Sequence, residues 1–147
     1  MRTRTLLLLA VTCGLAILLA GGFQLLRLAN QSTPAALAVG STGAAGDATV
    51  KVVDFHEADG VAVVTVTLSG VDDPAGLDGF RLQTVNELLQ PNPPAQHDAA
   101  QHDAAACTGF TVAPATCTLT FGTAGAKGAS RQLVFRRAAQ QVRWRLV

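Results

Sequence analysis

Val61-Ala62-Val63-Val64-Thr65-Val66-Thr67-Leu68 decides the fold. In its second half Val64, Val66 and Leu68 alternate with Thr65 and Thr67, so an extended chain here has one aliphatic face and one hydroxylated face. Valine and threonine are stiff at the first side-chain torsion and suit a pleated surface better than a helix. Asp59-Gly60 stands immediately before this stretch and marks a turn, because Gly tolerates positive φ and Asp bonds locally. Upstream, Val50 to Phe55 alternates again, with a slip that predicts a bulge.

Working outward, VDDPAGLDG (Val71 to Gly79) reads as a loop, and Phe80 and Leu82 alternate with Arg81 and Gln83 in a third strand. Later strands are expected at Phe110 to Val112, Thr118 to Phe121, Gln132 to Arg136 and Val142 to Val147. In the last, Val142, Trp144 and Leu146 point one way and Arg143 and Arg145 the other, which makes Trp144 the expected largest core side chain. Glu87 to Ala106, which opens on NELLQPNPP, is expected to be the least structured part. About seven short strands separated by turns, with no sustained 3.6-residue period after Leu26, predict an all-β fold: an antiparallel, immunoglobulin-like β-sandwich over residues 47–147.

The chain begins differently. Leu6 to Leu26 carries no charge, and a helix of that length spans ~30 Å, the hydrocarbon thickness of a bilayer. Arg2 and Arg4 precede it and Arg27 follows. The basic bias therefore holds the N-terminus on the cytoplasmic side and exports the remainder. The apolar run exceeds the usual core of a cleavable signal, and cuts after Ala20 or Gly22 would fall inside it. A single-pass anchor over residues 1–28 is the favoured expectation; a cut near Ala20 or Ala38 would instead release a secreted β-domain. Cys13 lacks a lipoprotein context and reads as an ordinary residue of the helix. ANQSTPAALAVGSTGAAG, residues 29–46, has no charge and no sustained apolar period, so it is expected to be a flexible tether.

Charge is unevenly placed although the net charge is only +1. The acidic residues lie between Asp47 and Asp103, whereas Arg131, Arg136, Arg137, Arg143 and Arg145 crowd the C-terminal end. The near-neutral total implies no nucleic-acid partner. These groups either pair or face water across the folded sheets, or form a basic patch for anionic lipid or polymer, and spacing alone leaves both open.

Cys107 and Cys117 are the cysteines outside the apolar run, and an exported domain meets an oxidising compartment, so they are expected to pair. Ala113 to Thr116 could turn the chain back into a hairpin between them. CTGFTVAPATCTLTF, Cys107 to Phe121, resembles a hairpin of bacterial extracytoplasmic immunoglobulin-like domains of the ASPM–SPD-2–Hydin, or choice-of-anchor, type. The resemblance extends to Gly128 and the Leu133 to Phe135 strand. It departs at Ala115, where the turn Gly would stand, and in lacking the Pro after the Phe strand. It implies a sandwich used for adhesion or scaffolding, with no catalytic residues to carry over.

The candidate metal ligands are His97, Asp98, His102 and Asp103, in the immediate repeat QHDAA-QHDAA. The proline-rich lead-in favours a duplicated surface loop over a metal site. No cofactor is expected. Ser32, Ser41, Ser69 and Ser130 lack a nucleophile-elbow setting, and Asp72-Asp73 reads as a solvated turn before Pro74, so no enzyme is expected. The leading expectation is a membrane-tethered binding or scaffold module for an envelope protein or polymer. The rival is a metal-handling envelope protein using the His97 to Asp103 loop.

Overall fold

The computed structural model describes residues 2–29, 34–94 and 104–147. It divides into two units, residues 1–33 and 34–147. The first holds helix α1, Arg2–Ala29, longer at both ends than the apolar run and long and apolar enough to cross a membrane. It buries none of its residues within the chain. Apolar all round, it suits a lipid environment rather than a protein core. The Thr12 hydroxyl donates back to the Leu8 and Leu9 carbonyls at 3.0 Å, which hides its polarity.

Among its described residues the second unit contains nine strands: β1 (Leu37–Ala38), β2 (Thr42–Ala45), β3 (Ala48–Ala58), β4 (Val61–Ser69), β5 (Phe80–Gln83), β6 (Leu88–Leu89), β7 (Ala115–Gly122), β8 (Gln132–Arg137) and β9 (Gln140–Arg145). One sheet has the order β1-β9-β8-β5-β6 and the other β2-β3-β4-β7. The β3–β4 pair is the hairpin around which the fold is built. Asp59 and Gly60 have φ of 53° and 76°, the two positive values a tight two-residue turn requires. The register shifts between Val52 and Asp54, so Val53 is the bulged residue and faces solvent. Val50, Val52, Val64, Val66 and Leu68 are fully buried and turn inward from this sheet.

The opposing sheet contributes Phe80, Leu82, Leu133, Phe135 and Trp144 to the same core. Phe80, Phe110 and Phe135 form an aromatic cluster with ring centroids 4.5–6.1 Å apart. Trp144 is fully buried, as its place on the alternating strand requires, and its indole N–H donates to the Ser41 carbonyl at 3.0 Å.

Four expectations need correction. The stretch expected as a tether, residues 29–46, contains β1 and β2. Leu37 pairs in parallel with Trp144, and Thr42–Ala45 pairs with β3. Its small, uncharged residues are what close packing needs: at Gly43 any Cβ would meet Val142 and Trp144. Phe110 to Val112 is not a strand. Phe110 makes one isolated bridge to Asp73 while its ring fills the core. The segment between the cysteines is not a hairpin either, because the Ala106–Thr118 bridge is parallel; the chain leaves, loops through Phe110 and returns in the same direction. Finally, Leu88–Leu89 in the proline-rich region forms the edge strand β6.

Candidate functional site

The arginines that crowd the C-terminal end divide into two groups. Arg131 and Arg137 are structural. Arg131, buried on the approach to β8, donates from Nε and Nη2 to the two carboxylate oxygens of Glu57 at 2.9 and 3.1 Å, and from Nη1 to the Gly128 carbonyl. This bidentate contact holds the Glu57 carboxyl below its usual range. Arg137, at the end of β8, donates to Asp47 in the β2–β3 turn and to Asp73 in the β4–β5 loop, the latter at 2.7 Å. Both carboxyls are held low chiefly by that guanidinium; the Ala75 N–H adds to the effect at Asp73. Each arginine thereby ties the two sheets together.

The second group is exposed to a different environment. On β8 and β9 the buried residues Leu133, Phe135 and Trp144 face the core, so Gln132, Val134 and Arg136, with Gln141, Arg143 and Arg145, lie on the outer face. The register sets Gln132 beside Arg145, Val134 beside Arg143 and Arg136 beside Gln141. Gln83 continues the first row on β5. Arg81 stands at the margin, with Nη1 donating to the Asp78 and Phe80 carbonyls at 2.7 and 2.6 Å. With its amide oxygen turned toward Arg143, Gln141 accepts from that guanidinium at 2.6 and 2.9 Å and steadies it.

Among the described residues, the ion pairs are those of Arg131 and Arg137. Arg81, Arg136, Arg143 and Arg145 have no carboxylate partner there. Of the arginines in this one segment, Arg131 and Arg137 pair across the sandwich, and Arg136, Arg143 and Arg145 lie on the outer face. Sequence reasoning placed Arg143 and Arg145 opposite Trp144, Gln83 opposite Leu82 and Arg136 in the basic segment, but did not bring them and Gln132 together on one face. The signal was present: in Phe80–Gln83, Gln132–Arg137 and Gln140–Arg145 every second residue is Arg, Gln or Val.

A cleft of about 390 Å³ opens at the margin where Arg81 stands, lined by Leu77, Arg81, Pro91, Cys107, Thr118 and Thr120 among others. Its charged lining consists of Asp78 and Arg81, and Arg81 is already bound to backbone. Cys107 and Cys117 are joined in a disulfide beside it, with Cα atoms 4.9 Å apart. His97, Asp98, His102 and Asp103 lie outside the described residues. Among the described residues no group of three or more His, Cys, Asp or Glu is placed to hold a metal ion. Asp72 is exposed while Asp73 is held by Arg137, so the adjacent acids do not act as a pair.

The fold is a two-sheet, all-β sandwich. No protein-family model matches the chain, and no curated protein matches it. Among solved structures it is similar to the crystal structure of MPT63, a secreted protein from Mycobacterium tuberculosis. The TM-score is 0.51 at 12% identity, over 77% of this chain and 99% of that one. At that identity the likeness concerns the fold alone.

Proposed function

We propose that this chain is an extracytoplasmic, immunoglobulin-like binding module held at the membrane by α1, and that the outer face of the β1-β9-β8-β5-β6 sheet is its contact surface. The observation that carries this reading is the set of arginines on that face without carboxylate partners among the described residues. Arg131 and Arg137 are drawn into ion pairs that hold the sheets, whereas Arg136, Arg143 and Arg145 gather on one outer face with no such partner among the described residues. Among the described residues this face brings arginines and glutamines together rather than a nucleophile and a base, which suits recognition rather than catalysis.

The immunoglobulin-like part of the reading is supported by strand order. Taking β3, β4, β5, β6, β7, β8 and β9 as A, B, C, C′, E, F and G reproduces an A-B-E sheet facing a G-F-C-C′ sheet. The ASPM–SPD-2–Hydin type is our reading of the Cys107 to Phe121 pattern; the bridge between its cysteines supports it, and the loop that replaces the hairpin between them is a departure from that type. Export is supported by that disulfide, by the apolar helix and by the secreted character of the structural neighbour. The position of β1 counts against a cut after Ala38, which would remove the strand that pairs with Trp144.

A photo-crosslinking residue at Gln83 or Gln132, in cells, tests the surface. A discrete adduct from these positions, absent from Lys51 on the opposite sheet, is expected. Adducts from Lys51 alone would overturn the assignment. N-terminal sequencing of the membrane fraction tests the anchor: an intact start is expected, and a soluble product beginning after Ala20 would refute it.

A further inference from the structure

The same face, on the reading just given, also specifies the chemistry of its partner. Arg145 and Arg143 are two positions apart on β9, and Arg136 lies one strand over and one outer row beyond Arg143. Strand geometry places the Cβ atoms of these three residues ~7–8 Å apart in succession, and their guanidinium groups extend from that row. A guanidinium offers a planar pair of donors that matches phosphate. Between and beside the arginines stand Gln132, Gln83 and Gln141. An amide both donates and accepts, so it pairs with hydroxyl groups, which do the same. The aliphatic residue in the middle of the patch, Val134, is only 9% exposed, so no apolar side chain protrudes there to enter an acyl layer. Leu88, which is exposed, stands at the margin on β6.

We infer that this face binds a linear polymer in which phosphodiesters alternate with hydroxylated units, a sugar- or polyol-phosphate chain, in preference to a bilayer surface. The arginines take successive phosphates and the glutamines take the hydroxyls between them.

The test uses the full chain in phosphatidylcholine nanodiscs and fluorescent poly(glycerol phosphate), followed by anisotropy as salt is raised. Binding at low salt is expected, weakening with a log–log slope of roughly −2 for three phosphate contacts at about −0.7 each. Replacing Arg143 and Arg145 together by Gln weakens binding by about tenfold or more and flattens the slope by roughly 1.4. Arg136→Gln, on a different strand, weakens it independently. Gln83→Ala with Gln132→Ala weakens binding of poly(glycerol phosphate) but leaves inorganic polyphosphate, which has no hydroxylated units, unaffected. Lys51→Gln with Lys127→Gln changes nothing.

Absence of binding at low salt overturns the inference, as does an equal loss in the lysine variant. Equal binding of both polymers, insensitive to the glutamines, also overturns it. Preferential binding to phosphatidylglycerol vesicles would assign the face to a bilayer instead. If crosslinks from Gln83 and Gln132 reach a protein while the polymer does not bind, the polymer fails and the binding module stands. If those positions give no crosslink, the module itself fails.

Discussion

Trp144 and Gly43 form a coupled pair across the two sheets, and a double-mutant cycle measures how closely that contact is fitted. In Trp144→Phe, the side chain loses roughly three ring atoms, at about 0.8 kcal/mol for each buried carbon. The Ser41 carbonyl, which now accepts from the indole, loses that partner. Because Ser41 is only half-buried, water recovers part of this, and about 1 kcal/mol is assigned to it. The expected cost is about 3 kcal/mol. Gly43→Ala places a Cβ against Val142 and 2.8 Å from the Trp144 Cζ2 atom, an overpacking that costs about 1–3 kcal/mol. Phenylalanine has no Cζ2 atom at that place, and Val142, half-buried, is able to turn. In the double variant the new methyl therefore occupies space the indole has vacated. The sum of the single costs should exceed the double cost by about 1 kcal/mol or more. Urea unfolding followed by far-ultraviolet circular dichroism supplies the free energies, since the variant lacks the chain's one tryptophan. Additivity within about 0.3–0.5 kcal/mol would refute the idea that β2 and β9 meet through these two residues.

Replacing Cys107 and Cys117 together by Ala opens the loop they close, which costs about 3 kcal/mol in the chain-entropy model and lowers Tm by about 12 °C for a domain of this size; a melting temperature unchanged by the replacement would count against a stabilising bridge. Acid should also destabilise the domain. Asp47, Asp73 and Glu57 are held below their ordinary values in the folded state, so their contribution is complete above the ordinary carboxylate range and is lost as pH falls through the depressed folded values. Melting temperatures measured from pH 7 to pH 3 should decline, and Arg137→Gln, which removes the partner of Asp47 and Asp73, should start lower and decline less. Parallel curves for the two proteins would refute that assignment.

Much was readable in the chain because local rules and tertiary structure agree there. The alternation of Val64, Val66 and Leu68 with Thr65 and Thr67 forces a strand with one buried face wherever a core exists. Asp59-Gly60 can turn tightly with few other residue pairs able to replace it. Trp144 had to be buried because its strand neighbours are arginines. The length and apolarity of Leu6 to Leu26 determine a membrane-compatible helix without reference to anything else in the chain.

What tertiary structure alone decided lies where the local signal is weak or where the partner is distant in sequence. Leu37–Ala38 and Thr42–Ala45 have no period of their own, and they are strands because β9 and β3 offer them unpaired backbone and Gly43 lets the sheets approach. Phe110 looked like part of a strand because it is apolar, but it is buried as a ring rather than paired as backbone. The division of the arginines is the sharpest case. Arg131 and Arg137 find Glu57, Asp47 and Asp73 from 64 to 90 positions away, whereas Arg136, Arg143 and Arg145 form no ion pair among the described residues. Composition placed all five in one basic segment. Pairing across the sandwich, a long-range property that no window of sequence contains, separates those that hold the two sheets from those on the outer face.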